Sequence, residues 1–326
     1  MKTYPTVSVV MPVYNTEAYV CGAVNSVLAQ TFKDFELLII DDAGSDRSME
    51  LCRAFDDPRI RIISQENRGL AGARNTGIRN ARGLFIALLD SDDLWETDKL
   101  ARHVTHLRNH PGLGVSYATS RMMDDDGNLL RILQRPKLYD ITPQDIFLRN
   151  PVGNGSAPVI RREVFTDIAF RNARRNELDY FDESFRQSED IECWIRIALT
   201  THWRFEGIRG AYTRYRINAG GLSANVVRQF ETWLRVRDKV REMAPEFARQ
   251  WEARAEAYQL RYLARRCVRM GDGAMAFSLM IDALKRDASI AWREPLKSAT
   301  TLAAAVVMRL APMSLSRPLQ TAMQRG

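Results

Sequence analysis

The feature that most constrains this chain is the alternation of strand and helix patterns through its first hundred residues. "VSVVM" at 7–11 is a short β-branched run, "AYVCGAVNSVLAQ" at 18–30 carries apolar residues at helical spacing, and "FELLII" at 35–40 is a second strand. A polar turn "DDAGSD" follows, then a helix "RSMELCRAF", a strand "RIRIIS", a helix around "LAGARNTGIRNA" and the strand "LFIALL". Repeated β-α-β units of this length predict a parallel sheet with helices on both faces. Ligands of such sheets sit outside the carboxyl ends of the strands. The polar residues there are therefore the candidates: Pro12, Tyr14 and Asn15, Asp41 and Asp42, Gln65 to Asn67, and Asp90, Ser91, Asp92 and Asp93.

Beyond Trp95, "TDKLARHVTHLRN" reads as a helix with Thr97 as its N-cap, followed by a strand "GVSYATSRMM", a turn "DDDGN" and a strand "LLRIL". The segment 134–188, broken by Pro136, Pro143, Pro151 and Pro158, is irregular and reads as the acceptor-facing part of the same domain. "SEDIECWIRIALT" at 188–200 is helical, with Ile191, Trp194, Ile195 and Ala198 on one stripe. From about residue 225 the pattern is helical nearly throughout. The expected division is a catalytic domain over 1–223 and a helical extension over 224–326.

With 45% apolar and 27% charged residues the chain reads as globular. Cys21, Cys52, Cys193 and Cys267 lie far apart without a CxxC pair, which suggests neither a zinc site nor a disulfide framework and fits a reducing cytoplasm. The N-terminal apolar run, a five-residue strand broken by Pro12, is too short for a signal-peptide core. The longest uncharged run, "SATTLAAAVVM" at 298–308, falls short of the roughly 20 residues that span a bilayer.

Charge is unevenly placed. Residues 225–326 hold 18 Lys and Arg against 10 Asp and Glu, leaving 29 against 30 for the rest. A basic helical tail suits an anionic membrane surface or an acidic partner, a solvated face being the plainer reading. "LAAAVVMRLAPMSLSRPL" is amphipathic enough to lie in a membrane interface, with burial against the preceding helices as the alternative. The expectation is a cytoplasmic protein, peripheral at the inner face of the plasma membrane, that does not bind nucleic acid.

Three carboxylate groupings carry the chemistry. Asp90 and Asp92 end a strand, either as part of a solvated turn or helix N-terminus, or as carboxylates that a cation such as Mg²⁺ or Mn²⁺ joins to substrate phosphates. Asp41 and Asp42 end another strand, where a carboxylate can accept hydrogen bonds from a base or ribose, or simply shape a turn. Glu189 and Asp190 open a helix, either as favourable charges at its N-terminus or as a general base. The glycines at 69, 72 and 77 do not follow GxGxxG, and there is no GxxxxGK[ST], which argues against a nicotinamide dehydrogenase or an ATPase. The four histidines, 103, 106, 110 and 202, lie beside no Ser or Cys nucleophile in the sequence, so base chemistry falls to a carboxylate.

In this order "VSVVMPVYN", "DDAGSD", "NRGLAGARNTGI", "LLDSDD" and "SEDIECWIR" resemble the inverting family 2 glycosyltransferases of the GT-A fold, over roughly residues 5–223. The resemblance implies an α/β fold, a Rossmann-like, mostly parallel sheet sandwiched by helices, with a C-terminal α-helical extension. It implies a nucleotide-sugar site at Pro12, Tyr14, Asn15, Asp42, Asn67, Arg74, Asp90, Ser91 and Asp92, with Asp42 on the base. Asp90 to Asp92 resemble the DxD motif, Asp92 being the direct ligand of Mg²⁺ or Mn²⁺. Asp190 would be the catalytic base and Glu189 would position it or the acceptor, while Trp194 reads equally as core or acceptor platform.

The implied reaction moves a sugar, from a UDP-sugar in the commonest case, to a glycan or lipid-linked hydroxyl with inversion. Two departures stand out. Ala43 takes the place of the family's usual Gly, and Asn218 that of a His that assists the metal or diphosphate, with Arg214 and Arg216 nearby as compensating phosphate partners. The alternative is a catalytically idle relative that binds nucleotide-sugar within a polysaccharide assembly complex.

Overall fold

In the computed structural model, which describes residues 4–217 and 226–310, strand β1 (Val7–Val13) is buried along its whole length. It pairs in parallel with β2 (Phe35–Asp41) on one side and β4 (Phe85–Leu88) on the other, and β3 (Ile60–Ser64) pairs in parallel with β2. Helices α1 (Val20–Leu28), α2 (Ser48–Arg53) and α3 (Gly69–Asn80) make the crossovers, as the βαβ pattern requires.

β1 does not stop before Pro12. The Val10 carbonyl accepts from Leu89 N and the Val13 carbonyl from Asp42 N, so even-numbered residues of β1 turn their peptide groups toward β4. β4 pairing ends at Val10, so the missing N–H of Pro12 breaks no ladder bond and the strand runs on through it.

Past β4 come β5 (Leu94–Trp95), α4 (Lys99–Asn109), β6 (Leu113–Met123), β7 (Leu129–Gln134), α5 (Pro143–Arg149), β8 (Val159–Arg161) and α6 (Arg162–Ile168). The hairpin β9 (Phe170–Asn172) and β10 (Glu177–Asp179), α7 (Glu189–Thr200) and β11 (Arg204–Arg216) complete this stretch. The N-cap of α4 is Asp98 rather than Thr97, and no side-chain hydrogen bond caps it.

The nine strands of the large sheet run β3-β2-β1-β4-β8-β6-β11-β5, with β7 beside β6. The first four are parallel; β8 is antiparallel to both β4 and β6, while β11 runs parallel to β6. One sheet face packs on α1, α2 and α4 through Val9, Met11, Val24, Val27, Leu37 and Leu100.

The described residues after 225 form α8 (Val226–Met243), α9 (Pro245–Met270), α10 (Gly273–Arg286), α11 (Ile290–Arg293) and α12 (Pro295–Leu310). The chain separates into two compact units, residues 1–142 with 151–218 and residues 143–150 with 219–326. Helix α5 belongs to the second unit, although it lies in the irregular segment that reads from sequence as part of the first domain. The second unit has its own core, in which Leu263, Cys267 and Val268 of α9 meet Ala276 of α10 and Ala305 and Met308 of α12.

Candidate active site

Because β1, β2 and β4 are parallel neighbours, their carboxyl ends emerge at one edge and so do the loops that follow. Hydrogen bonds fasten these loops together. Asn15 Oδ1 accepts from Ser45 N at 2.8 Å, Thr16 N donates to Ser48 Oγ at 2.9 Å, and the hydroxyls of Thr16 and Ser91 meet at 2.9 Å. Tyr14 is exposed at the rim and Pro12 is buried beneath it. Ala43 has φ 57°, the left-handed region glycine prefers, which accounts for Gly as the usual residue at that position in the resembled family. Gly44 cannot be replaced so easily, since an added Cβ would lie 2.9 Å from Asn15 N.

Asp42 is buried, and three donors converge on it. Gln65 Nε2 at 2.6 Å and Arg68 N at 2.8 Å reach Oδ1, and Gly69 N at 2.9 Å reaches Oδ2. The carboxylate thus sits at the N-terminus of α3, where an anion is favoured. Burial nevertheless raises its pKa above the ordinary aspartate value, against the pull of those hydrogen bonds. Asn67 donates to the Asp42 carbonyl at 3.1 Å. A cavity of about 550 Å³ opens beside this loop, lined by Asn67, Arg68, Arg175, Glu183 and Arg186 among others.

The two remaining carboxylate groupings meet through one side chain. Arg74 of α3 is 1% exposed, donating through Nη2 to Asp90 Oδ1 and through Nη1 to Glu189 Oε1, both at 2.7 Å, with its guanidinium 5.5 Å from the Phe181 ring centre. Gly155 makes room for it, because a Cβ there would fall 2.1 Å from Nη2. Arg74 was expected to border the nucleotide pocket; in the fold it ties the end of β4 to the start of α7.

Asp190, beside Glu189, is only partly exposed, and burial with the adjacent Glu189 charge pushes its pKa up to about 7 while Arg74 pulls it down. Burial and neighbouring Asp90 push Asp92 up to about 6. Asp93 is a different case: Ser156 Oγ and Arg216 N donate to its two oxygens at 2.5 and 2.8 Å, inside the protein. It is an anchor, and burial raises its pKa well above the ordinary value.

Asp90 and Asp92 fit a divalent cation. They are like charges at one strand end, and burial first and the Asp90 charge second raise the pKa of Asp92, both of which a cation would offset. No three His, Cys, Asp or Glu groups gather into a metal cluster among the described residues. Mg²⁺ is ordinarily held by one or two carboxylates plus substrate phosphates, which is the kind of set Asp90 and Asp92 offer. Asn218 lies outside the described residues.

Several side chains take roles that sequence reading missed or left open. Trp194 is wholly buried, edge-on to Phe181, and so belongs to the core. Arg214 is held by both oxygens of Glu96, at 2.8 and 2.9 Å. Arg216 donates to the carbonyls of Asp92, Asp124 and Asp125 over the Tyr19 ring. Ser156, unremarked in sequence, receives Asp90 N and donates to Asp93, locking the carboxylate turn.

Two histidines do lie beside a serine. His103 and His106 point Nδ1 at Ser116 Oγ, at 2.7 and 2.8 Å, and His106 Nε2 faces Glu206. Ser116 and His103 are wholly buried between α4 and the sheet, which bars substrate from them.

Comparison with known proteins bears on the family and the fold. Residues 8–169 match the family model described as "Glycosyl transferase family 2". An uncharacterized glycosyltransferase of Haemophilus influenzae is 30% identical over 190 residues, 56% of this chain and 73% of that one. The Escherichia coli UDP-Glc:alpha-D-GlcNAc-diphosphoundecaprenol beta-1,3-glucosyltransferase WfgD is 28% identical over 226 residues, 69% of this chain and 82% of that one. Other curated relatives are much longer, the chain spanning 19% and 33% of two of them.

Among solved structures, Staphylococcus aureus TarS 1–349 in complex with UDP-GlcNAc aligns with a TM-score of 0.59 at 18% identity, over 93% of this chain and 91% of that one. The mannosyltransferase PcManGT of Pyrobaculum calidifontis, solved with GDP-Man and Mn²⁺, gives 0.57 at 19% identity, over 95% and 88%. This chain thus shares the GT-A fold with these structures, a sheet flanked by helices, and carries further helices toward its C-terminus.

Proposed function

Since the chain belongs to the family 2 glycosyltransferases, we propose that it transfers a sugar from a nucleotide-sugar, a UDP-sugar first, to a hydroxyl of a glycan or lipid-linked acceptor with inversion, Asp190 acting as base. The observation that carries this reading is Arg74, which joins Asp90 of the strand-end carboxylates to Glu189 of the Glu189–Asp190 pair. Donor-side and acceptor-side groups thereby share one edge of the sheet. UDP is favoured by the UDP-Glc donor in the name of the E. coli relative and by the UDP-GlcNAc bound to TarS.

In this reading Tyr14, Asn15, Asp42 and Asn67 border the nucleoside, with Pro12 shaping the strand end beneath them. Asp90, Ser91 and Asp92 face the diphosphate. A Mg²⁺ or Mn²⁺ ion on Asp92, with Asp90 beside it, would supply Lewis-acid stabilisation of the diphosphate charge. Ionised Asp190 takes the proton of the acceptor hydroxyl as that oxygen bonds to the anomeric carbon. The carbon's bond to the diphosphate oxygen breaks on the opposite face, which inverts the centre. A base with pKa about 7 is matched to work near neutrality. Glu189 and Arg74 hold it in place, and in-line alignment supplies much of the rate.

The reading also puts the chain in the cytoplasm, peripheral at the inner face of the plasma membrane through the basic second unit. Both a lipid-linked acceptor and a nucleotide-sugar would be met there. The test is a turnover screen of UDP-, GDP- and dTDP-sugars with and without Mn²⁺, beside Asp92→Ala and Asp190→Asn. Donor-specific release of nucleoside diphosphate, lost in Asp92→Ala and reduced in Asp190→Asn, is the expected result. Binding without turnover would point to a missing acceptor or an idle relative, and no binding to any donor would overturn the reading.

A further inference from the structure

Within the second unit, one carboxylate serves a crowd of cations. Glu294, just before α12, accepts from the guanidinium groups of Arg149 (α5) and Arg261 (α9), and Lys297 Nζ lies 3.4 Å from its other oxygen. Arg149 and Arg261 also flank the Tyr258 ring, at 4.8 and 4.9 Å from its centre. Arg265, one turn beyond Arg261, has no ion-pair partner among the described residues, yet lies close enough to disfavour the charged forms of Arg149, Arg261 and Lys297. Burial and then Arg149 and Arg265 bring Arg261 down to about 10. Four cations against one carboxylate leave an excess of three positive charges, a place where a phosphate would be held by charge-assisted hydrogen bonds.

An apolar stripe begins beside this cluster. On α12, Leu296, Ala299, Ala303, Val307 and Leu310 recur every three or four residues and are all exposed, Leu296 to 80% and Leu310 to 77%. Ser298, Thr301, Ala305 and Met308, on the opposite face, are buried toward α9 and α10. Trp292 of α11, four residues before Leu296, is 68% exposed. A continuous exposed apolar row marks an interaction face where scattered single residues would not. Its margin is basic, with Arg293, Lys297 and Arg309 exposed, and the one acid near its start, Glu294, is already engaged. Exposed tryptophan, basic side chains with long apolar stems and an apolar row are the composition of a helix lying in a lipid interface. No helix of the described residues is long and apolar enough to cross a membrane.

We propose that α11 and α12 dock the second unit on an anionic phospholipid surface, with the exposed Arg149, Arg265 and Lys297 taking lipid phosphates, buried Arg261 adding its charge behind them, and the row from Trp292 to Leu310 entering the headgroup boundary. This deepens the peripheral-membrane part of the function proposed for the chain, and it requires no turnover to test. The full chain is mixed with vesicles of phosphatidylcholine alone or with added phosphatidylglycerol, and partitioning is read by co-sedimentation. Binding only to phosphatidylglycerol vesicles, weakening with salt, is expected. Arg265→Glu with Lys297→Glu weakens it at least about 25-fold, since each basic residue near such a surface contributes about five-fold. Leu296→Asp with Val307→Asp weakens it about ten-fold or more.

All four positions are exposed, so both double variants keep the parent's melting temperature and donor turnover; loss of turnover in the parent would count against the transferase reading alone. Equal binding to both vesicle types, or variants that bind like the parent, would overturn the proposal. So would inorganic phosphate binding, lost in Lys297→Glu, without vesicle binding, which would make this a free-anion site. A dimer that Leu296→Asp dissociates, again without vesicle binding, would assign the row to a second copy.

Discussion

Two arginine–carboxylate constellations in this molecule are near mirror images. In the first unit a single buried guanidinium, Arg74, serves two acids, with Asp92 and Asp190 close by. In the second unit a single acid, Glu294, serves several cations. The first is left short of positive charge and suits a cation and a proton; the second is left short of negative charge and suits a phosphate. Each imbalance is tolerated because packing and hydrogen bonds hold the groups where water alone would let them part, and such residual charge is where ligands act. What separates the two is burial: Arg74 is sealed beneath Phe181 and Gly155, whereas Lys297 and Arg265 are open to solvent.

The contrast can be broken by removing its members in turn. The largest expected effect is kinetic: Asp190→Asn lowers kcat about 10²–10⁴-fold while donor affinity, measured by calorimetry, stays near the parent's. Next is Arg74→Ala, which strands the buried Glu189 and the partly exposed Asp90 and costs about 3–5 kcal/mol in chemical denaturation, with Arg74→Lys intermediate because an ammonium cannot span both carboxylates. Glu294→Ala, its counterpart in the second unit, costs less, about 1–2 kcal/mol, since two of its partners, Arg149 and Lys297, are partly solvated, and added sulfate restores much of the loss.

A fourth effect depends on pH. Asp190 has a raised pKa, so it favours the folded state at low pH, and that contribution is lost as pH climbs through about 7. Asp190→Asn therefore melts higher than the parent at pH 8 by roughly 1 kcal/mol, about 2–4 °C, and the gap narrows as pH falls below about 7 and closes only below about pH 4, the ordinary aspartate range. Ala43→Gly is the smallest, stabilising by about 0.5–1 kcal/mol through relief of the left-handed backbone at φ 57°.

Much of the first unit was legible in the sequence because its strands are short β-branched runs whose ends are punctuated by Asp, Asn and Pro. The helix "SEDIECWIRIALT" and the strand "FELLII" fall where their periodicity puts them. Strand β1 ran further than read, since whether Pro12 interrupts a ladder depends on which way its missing N–H points, and that is set by register. The hairpin β9–β10, strand β8 and the crossover of α5 to the other unit were illegible for a similar reason: three-residue strands carry no period, and α5 is defined by partners distant in sequence.

At the site, the acids were visible as acids, but their couplings were not. Nothing in "GLAGARN" distinguishes an arginine facing a nucleotide from one clamped between Asp90 and Glu189. Nor does spacing reveal that Asp93, unlike Asp92, has both oxygens occupied by Ser156 and Arg216. Ser116 between His103 and His106 was hidden because the three are joined across α4 and β6.

The central claim, that Asp190 removes the proton during transfer, is tested most directly by the pH dependence of nucleoside diphosphate release from the donor the chain turns over. The account predicts a rate that rises through a midpoint near pH 7 and levels off above it, with Asp190→Asn reduced to a low rate that no longer follows that titration. A parent profile without that rise, or an Asp190→Asn protein as fast as the parent at pH 8, would contradict it.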